Sequence, residues 1–308
     1  MKTKLTIIIP TYNRPEEIKK QVRLVLPQLQ ENVSLVVFDN HSDMPVSSYF
    51  TDNELSLFKI IRNKVNIGGS PNICRALESV DSGWAWTLGD DDPILENAVE
   101  IILRYIEKYP DVCYINFGTK KDLLATNFTE FLSYLGITGA FGISFFMSHC
   151  LFNMSKLHKY MIYYHLFVST QIGQICLIIK YLEINSKEKT LFSKEKLISY
   201  NAPGGWNPLK LIVNSSLLID SLYADSNKYR NNLFKGIGDM YLTILTQSDA
   251  VFLQRIYYFR YISFKLGFLN LLRYNTILLI GFFIKIIMPL KIFQKIRKII
   301  ANRYNNRI

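Results

Sequence analysis

The chain has no acidic residue after Asp249, although that final segment contains eleven lysines and arginines. Residues 1–249 hold all 25 acidic residues, and these are balanced by 25 basic ones. The net charge of +11 therefore belongs to the C-terminal segment. Such an asymmetry predicts a negatively charged partner for this end of the chain.

Nucleic acid is one candidate partner, but the segment is also rich in large apolar residues, as in the run from Ile277 to Ile284. In residues 291–300, apolar and basic side chains follow opposite faces of a helix, the pattern of an interfacial membrane helix. The apolar run 276–290 contains Lys285 and is shorter than the ~20 residues that span a bilayer. We therefore predict attachment to an anionic membrane surface, without a crossing and without nucleic acid. The alternative is a helix that packs on the rest of the protein with its basic face solvated.

Cysteine is scarce, and its four copies are widely spaced with no C-x-x-C pair. This spacing gives no zinc signature and predicts reduced cysteines in the core. The first residues lack a secretion signal and lead directly into a strand, so we expect a cytoplasmic protein, peripheral at the inner face of the plasma membrane. The 308 residues, 49% of them hydrophobic, allow one sizeable core and a smaller second region.

The N-terminal pattern indicates an α/β sheet. Residues Leu5–Pro10 read as a buried strand, followed by a polar turn and a helix beginning near Glu16. A second strand, Leu35–Phe38, stops at Asp39. In α/β sheets, ligands collect beyond the carboxyl ends of the strands.

A third apolar run, residues 84–88, ends in Asp90, Asp91 and Asp92. Three adjacent carboxylates repel one another, so we expect a cation among them. Carboxylate oxygens suit Mg²⁺ and Mn²⁺, which keep positions open for phosphate. The alternative is a solvated turn that caps a helix starting near Pro93. The α/β pattern predicts that Thr11, Asp39 and the three aspartates lie along one edge of the sheet.

Four motifs in this order resemble the family 2 glycosyltransferases: Ile8-Ile9-Pro10-Thr11-Tyr12-Asn13-Arg14, Val37-Phe38-Asp39-Asn40-His41-Ser42, Asn66-Ile67-Gly68-Gly69-Ser70-Pro71-Asn72 and Leu88-Gly89-Asp90-Asp91-Asp92. The resemblance covers residues 4–110 and continues weakly to residue 205. It implies a GT-A fold, an α/β sheet with a nucleotide-sugar site, over residues 1–205, with a donor half (1–110) and an acceptor half (111–205). Residues 206–308 are predicted to form a mainly helical, basic, amphipathic region.

The resemblance also implies roles for residues near the first two strands. Pro10, Thr11 and Tyr12 resemble the loop that cradles the nucleotide base, and Arg14 completes this donor-binding motif. Asp39 resembles the acceptor for an imide or amino hydrogen of the base. The alternative for Asp39 is a strand-end Asx turn.

Three further residues resemble the loop under the ribose and diphosphate, namely Asn66, Gly68 and Gly69, where glycine permits close backbone approach. Asn72 and Arg75 follow on the next helix. Arg75 either reaches a phosphate or is a solvated helix residue.

The three aspartates resemble the family's Asp-x-Asp element. Asp90 and Asp91 are implied in donor binding, and Asp92 with Asp90 in holding Mn²⁺ or Mg²⁺. Gly89 stands where many relatives have aspartate.

The implied reaction is attack of an acceptor hydroxyl, on a glycan or a polyprenyl-linked glycan, at the anomeric carbon of a nucleoside diphosphate sugar, with inversion. Capsule, lipopolysaccharide or other bacterial surface polysaccharide synthesis is the expected setting. The family supplies the general base as an aspartate on the acceptor side, but residues 131–182 contain no acid. His149 and His165 are candidate replacements, and the glutamates between 183 and 195 are further ones. Trp206 is a candidate acceptor platform or part of a linker.

Two other functions are considered. A sugar-nucleotide pyrophosphorylase would share the nucleotide-binding architecture. Such enzymes usually carry a glycine-rich loop directly after the first strand, but the turn there contains no glycine in this chain. A noncatalytic membrane-associated scaffold would explain the missing acceptor-side carboxylate, whereas the retained Asp39 and the three aspartates argue against it.

Overall fold

The computed structural model describes residues 4–137, 140–144, 146–199, 208–218, 230–248 and 250–287. The chain divides into two compact units, residues 1–206 and 207–308. Trp206 and the predicted amphipathic helix over 291–300 lie outside the described residues.

The first unit is built on an 8-stranded mixed sheet, counted over the described residues. Its strands are β1 (Leu5–Thr11), β2 (Val33–Asp39), β3 (Lys59–Arg62), β4 (Trp84–Thr87), β5 (Val112–Asn116), β6 (Leu123–Ala125), β7 (Cys150–Asn153) and β8 (Lys189–Phe192), in the order β3-β2-β1-β4-β7-β5-β8-β6. The first four strands are parallel, and β7 runs antiparallel between β4 and β5. β1 lies inside the sheet, which explains why it reads as a continuous apolar run.

The sheet register brings the predicted motifs together. Thr11 at the end of β1 is paired with Asp39 at the end of β2, and Ile8 is paired with Thr87 at the end of β4. Because β7 is antiparallel, its first residues enter at this same edge, where Leu151 pairs with Trp86. The carboxyl ends of β1, β2 and β4 and the start of β7 therefore form one edge.

Helices cover the sheet: α1 (Pro15–Val25), α2 (Asp52–Leu55), α3 (Gly69–Glu78), α4 (Ala98–Lys108), α5 (Phe128–Ile137), α6 (Ala140–Ile143), α7 (Met154–Leu157), α8 (Ile162–Leu166) and α9 (Gly173–Ile184). The expected start of a helix near Pro93 is wrong. Helix α4 begins at Ala98, because Ile94 forms a β-bridge with Ile198.

The four cysteines are buried and unpaired, as predicted. Burial raises the pKa of the Cys74, Cys150 and Cys176 thiols to about 12 in each case. Thiols with such a high pKa stay protonated and unreactive near neutral pH.

We predict that Gly173→Ala destabilises the first unit. A Cβ at this buried start of α9 would lie 2.2 Å from Cε2 of the buried Tyr164 ring. Overpacking of this kind lowers the free energy of unfolding by about 1–3 kcal/mol, which urea denaturation measures. Gly142→Ala is the control, since a Cβ there meets no atom within 4 Å and should not lower stability. Equal stabilities of the two variants would contradict the prediction.

The described part of the second unit is helical, with α10 (Pro208–Asn214), α11 (Arg230–Gln247), α12 (Phe252–Leu266), α13 (Phe268–Tyr274) and α14 (Thr276–Ile287). Three aromatic rings join α12 to α14, with Phe259 stacked on Phe282 at 4.9 Å between centroids and edge-on to Phe283. Arg255 binds the end of α11, donating hydrogen bonds to the carbonyls of Leu245, Ser248 and Ala250.

Candidate active site

The acidic cluster Asp90–Asp92 is bound directly to the loop after β1. Thr11 Oγ1 donates a hydrogen bond of 2.7 Å to Asp90 Oδ2. Arg14 Nη1 lies 2.9 Å from Asp90 Oδ1 and 2.8 Å from Asp91 Oδ2. The Arg14 guanidinium therefore places one positive charge against two of the three carboxylates. Burial still raises the pKa of Asp90, against the hydrogen bond from Thr11 and the charge of Arg14.

Asp92 is positioned by a residue that the sequence analysis did not identify. Ser148 Oγ donates to Asp92 Oδ2 at 2.5 Å and accepts from the Gly89 amide at 2.8 Å. Gln21 Nε2 donates to the Asp92 carbonyl at 2.7 Å. Burial raises the pKa of the Asp92 carboxyl, although the bond from Ser148 opposes the shift.

The close approach of Asp92 explains the glycine at position 89. A Cβ on Gly89 would lie 2.6 Å from Asp92 Oδ2. A side chain at this position would therefore displace the Asp92 carboxylate from Ser148.

The cluster fits a divalent cation that is bound together with phosphate, and does not fit a cage made by protein alone. Among the described residues, no group of three His, Cys, Asp or Glu side chains is arranged to hold a metal. Mg²⁺ and Mn²⁺ sites that serve phosphates need only one or two carboxylates. Asp92 suits this role, because its protein partners do not offset the cost of burying its negative charge. Asp90 suits it less, because Thr11 and Arg14 already bind both of its oxygens.

Asp39 lies beneath the loop after β2. Its side chain is 0% exposed, and it accepts hydrogen bonds from the Ser42 and Val46 amides at 2.8 and 3.3 Å. Arg62 at the end of β3 forms an ion pair with Asp39 and also donates to the Ser42 carbonyl. These contacts give Asp39 a structural role in the loop, as the Asx-turn alternative also implied, but the bonds reach amides three and seven residues on, whereas an Asx turn bonds the amide two residues on. In this arrangement both carboxylate oxygens have protein partners.

A network of asparagines connects the ends of β2 and β3 with the start of α3. Asn63 Nδ2 donates to Asn40 Oδ1 at 2.9 Å and to Asn72 Oδ1 at 2.8 Å. Asn40 Nδ2 donates to Asn66 Oδ1, which also accepts from the Gly68 amide at 2.8 Å. Gly68 has φ +89°, a conformation that favours glycine.

This network changes the interpretation of Asn72 and Arg75. Asn72 is buried, and its Nδ2 donates to the Phe38 carbonyl at 3.2 Å, so it fixes the end of β2. Arg75 is exposed in the last turn of α3, at the far end of the helix from Gly69. The helix start at Gly69 has open space around it and lies next to Asn66 and Gly68. A helix N-terminus of this kind favours an anion.

The described fold agrees with that of known proteins. Residues 6–156 match the model of the family described as Glycosyl transferase family 2. The first unit is a family 2 glycosyltransferase domain. A protein of Haemophilus influenzae described as an uncharacterized glycosyltransferase is 26% identical over 126 residues, which are 41% of this chain and 42% of that protein.

Solved structures confirm the GT-A fold. S. aureus TarS 1-349 superposes with a TM-score of 0.60 at 15% identity, covering 86% of this chain and 80% of that one. TarS 1-349 in complex with UDP-GlcNAc gives 0.58 at 14% identity, covering 88% and 83%. The mannosyltransferase PcManGT from Pyrobaculum calidifontis, in complex with GDP-Man and Mn2+, gives 0.50 at 11% identity, covering 93% and 87%.

The two candidate bases of the glycosyltransferase domain lie in different places. His149 follows Ser148 in a 3₁₀ turn immediately before β7, not in the strand expected there, and this turn lies at the edge that carries Asp92. His165 lies in α8, where its Nε2 is 3.3 Å from Glu78 Oε1 and its Nδ1 is 3.7 Å from Cys74 Sγ. Glu78 is the last residue of α3, away from the Gly69 end. The predicted helix from Leu166 begins instead at Gly173.

The glutamates between 183 and 195 form ion pairs. Glu183 pairs with Lys180 at 2.9 Å, Glu188 with Lys156 at 2.6 Å, and Glu195 with Arg104 at 3.7 Å. These contacts agree with the charged surface that their spacing indicates. Of the candidate bases, His149 is therefore the one that lies beside the strand leading to the aspartates, because β7 pairs with β4.

Burial lowers the pKa of His149 to about 4, so the ring is neutral near pH 7. Its Nδ1 is buried and has no hydrogen-bond partner among the residues that the structure describes. A pKa of about 4 also means that protonation of the buried ring is disfavoured, so His149 is a weak base in this structure.

We predict a pH-dependent stability caused by His149. Between about pH 6.5 and 4 the unfolded state binds more protons than the folded state, so acidification lowers stability. Going from about pH 7 to about pH 5 should cost about 2 kcal/mol through this residue. Urea denaturation of the wild type and His149→Gln at both pH values measures the difference. Parallel losses in the two proteins would contradict the assignment.

Proposed function

We propose that the protein transfers a sugar from a nucleoside diphosphate donor to a hydroxyl of a glycan or lipid-linked glycan. The proposal rests on one observation: Thr11, Arg14 and Ser148 hold Asp90, Asp91 and Asp92 at the carboxyl edge of a family 2 domain. TarS and PcManGT structures that contain UDP-GlcNAc and GDP-Man support a nucleotide-sugar donor.

In the proposed donor complex, the nucleotide base binds against the loop Pro10–Tyr12. Tyr12 in this loop is 40% exposed. The diphosphate lies between the start of α3 at Gly69 and the aspartates. Arg14 pairs with Asp91, and in this proposal its guanidinium passes from Asp91 to a phosphate oxygen as the donor enters. Asp92 would hold Mn²⁺ or Mg²⁺, which stabilises negative charge on the leaving diphosphate.

The proposed reaction breaks the bond between the anomeric carbon and the diphosphate oxygen and forms a bond to the acceptor oxygen. The acceptor proton passes to a base, and the configuration at the anomeric carbon inverts. We propose His149 for this base because it follows Ser148, which binds Asp92. A role in bacterial surface polysaccharide synthesis is part of this proposal.

A thermal-shift screen with UDP, GDP, CDP and dTDP, each with and without Mn²⁺, tests the donor site. A ligand at about a hundred times its Kd adds about 2.7 kcal/mol to stability. We expect one nucleotide to raise Tm, with the larger rise in the presence of Mn²⁺. No rise with any of the four would contradict the donor site and favour the scaffold.

A further inference from the structure

The most exposed large apolar side chains of the described residues belong to three successive helices of the second unit, α12, α13 and α14. They are Leu253, Phe264, Leu269 and Ile277, with exposures of 77, 84, 79 and 85%. No other large apolar side chain in the described ranges exceeds 63% exposure. Burying such side chains in water-excluded surroundings is strongly favourable, so this cluster needs an explanation.

The exposed residues follow helical spacing. On α12, Leu253, Tyr257, Arg260 and Phe264 recur every three or four positions and are all exposed. On α14 the exposed isoleucines are 277, 280 and 284. Spacing of this kind places each set on one face of its helix.

The opposite faces of these helices are already occupied. Ile262 and Leu266 of α12, Leu271 of α13, and Leu279 and Phe282 of α14 are buried within the second unit. The exposed stripes are therefore additional to the apolar surface that folds the unit.

The charged side chains on α12, α13 and α14 are all positive. Arg260 and Arg273 are exposed, and the chain has no acidic residue from 250 onwards. A protein partner of ordinary composition does not require such one-sided charge. Anionic lipid headgroups over an apolar interior match both features.

No single helix in the described part of the chain is both long enough and apolar enough to cross a bilayer. Helices Phe268–Tyr274 and Thr276–Ile286 are together long and apolar enough, but the chain bends by 109° between them. A bent pair of amphipathic helices can lie in the interface, where apolar side chains enter the lipid and cations remain at the headgroups.

We propose that α12, α13 and α14 form a docking surface for anionic lipid, with Leu253, Phe264, Leu269 and Ile277 as the inserting residues. This surface acts in addition to the membrane helix predicted from the sequence over residues 291–300. It holds the protein at a membrane without spanning it.

Vesicle flotation of the full-length protein tests this surface. Vesicles of phosphatidylcholine alone are compared with vesicles that also contain phosphatidylglycerol, at low and high salt. The test variant is Phe264→Ser/Leu269→Ser. The control is Leu57→Ser/Ile162→Ser, which removes exposed apolar side chains from the first unit.

We expect wild-type protein and the control to float with anionic vesicles, more weakly at high salt. The test variant should partition about a hundredfold less, because it lacks two inserted side chains that contribute about tenfold each. Arg260→Gln/Arg273→Gln should lower binding to anionic vesicles without changing the weaker binding to neutral ones. Equal flotation of test and control variants would overturn the proposal.

Two further measurements keep the outcome unambiguous. A nucleotide-induced rise in Tm that the test variant retains shows that it is folded and separates this proposal from the donor site. Light scattering after size exclusion reports self-association. If the wild type is a dimer and the test variant a monomer without any difference in flotation, the surface binds a second copy and the lipid proposal is wrong.

Discussion

Asp92→Asn is expected to reduce donor turnover by about two to three orders of magnitude, since a metal that stabilises the leaving diphosphate contributes several kcal/mol. Asparagine keeps the shape and can still accept the Ser148 hydrogen bond, but it lacks the negative charge. Stability should stay constant or rise, because burial already disfavours the charged form of Asp92. Turnover is measured by release of the nucleoside diphosphate.

Asp81→Asn provides the matched control. Asp81 is an exposed aspartate before β4, at the opposite end of this strand from Asp92. Binding of Mn²⁺ in the presence of nucleoside diphosphate, followed by electron paramagnetic resonance, gives a readout other than activity. We expect Asp92→Asn to weaken this binding and Asp81→Asn to leave it unchanged. Full Mn²⁺ binding by Asp92→Asn would refute the metal role of this carboxylate.

The sheet edge was predictable because it depends on local patterns. The apolar runs of β1, β2 and β4 end in Thr11, Asp39 and the three aspartates, and parallel strands bring those ends together. The resemblance to family 2 rested on these same motifs, and the family model confirms it.

The partners of these motif residues were not predictable in the same way. Ser148 reaches Asp92 only because β7 inserts antiparallel beside β4, a pairing of residues about 60 positions apart in sequence. Arg62 is the last residue of β3 and Asn63 follows it; this short, weakly apolar strand was not identified from the sequence. The polar residues at the end of β3 were the feature of the sequence that could have indicated a third strand ending at this edge.

His165 illustrates the limit of reasoning from residue type alone. Histidine titrates in the useful range, and this criterion selected both His149 and His165. Position in the fold separates them, because α8 packs against α3 and pairs His165 with Glu78. That packing follows from tertiary contacts of buried residues such as Tyr164, which the periodicity of the segment does not reveal.

Asp39→Ala is expected to lower the free energy of unfolding by about 2–3 kcal/mol, because it leaves two backbone donors and a partly buried guanidinium without their acceptor. The amides of Ser42 and Val46 lose their partner, and the Arg62 side chain, 31% exposed, must be hydrated again. The loop after β2 then loses its anchor, so nucleotide binding should weaken as well. Urea denaturation measures the first effect and the nucleotide-induced rise in Tm the second.

Asp39→Asn and Arg62→Met distinguish a positioning role from direct recognition of the base. If Asp39 positions the loop, Arg62→Met reproduces part of the loss of stability, and each variant weakens nucleotide binding in proportion to its loss. If Asp39 binds the base directly, Asp39→Asn lowers nucleotide affinity while stability stays near that of the wild type. Because the carboxylate is fully buried with three protein partners, we expect the first result.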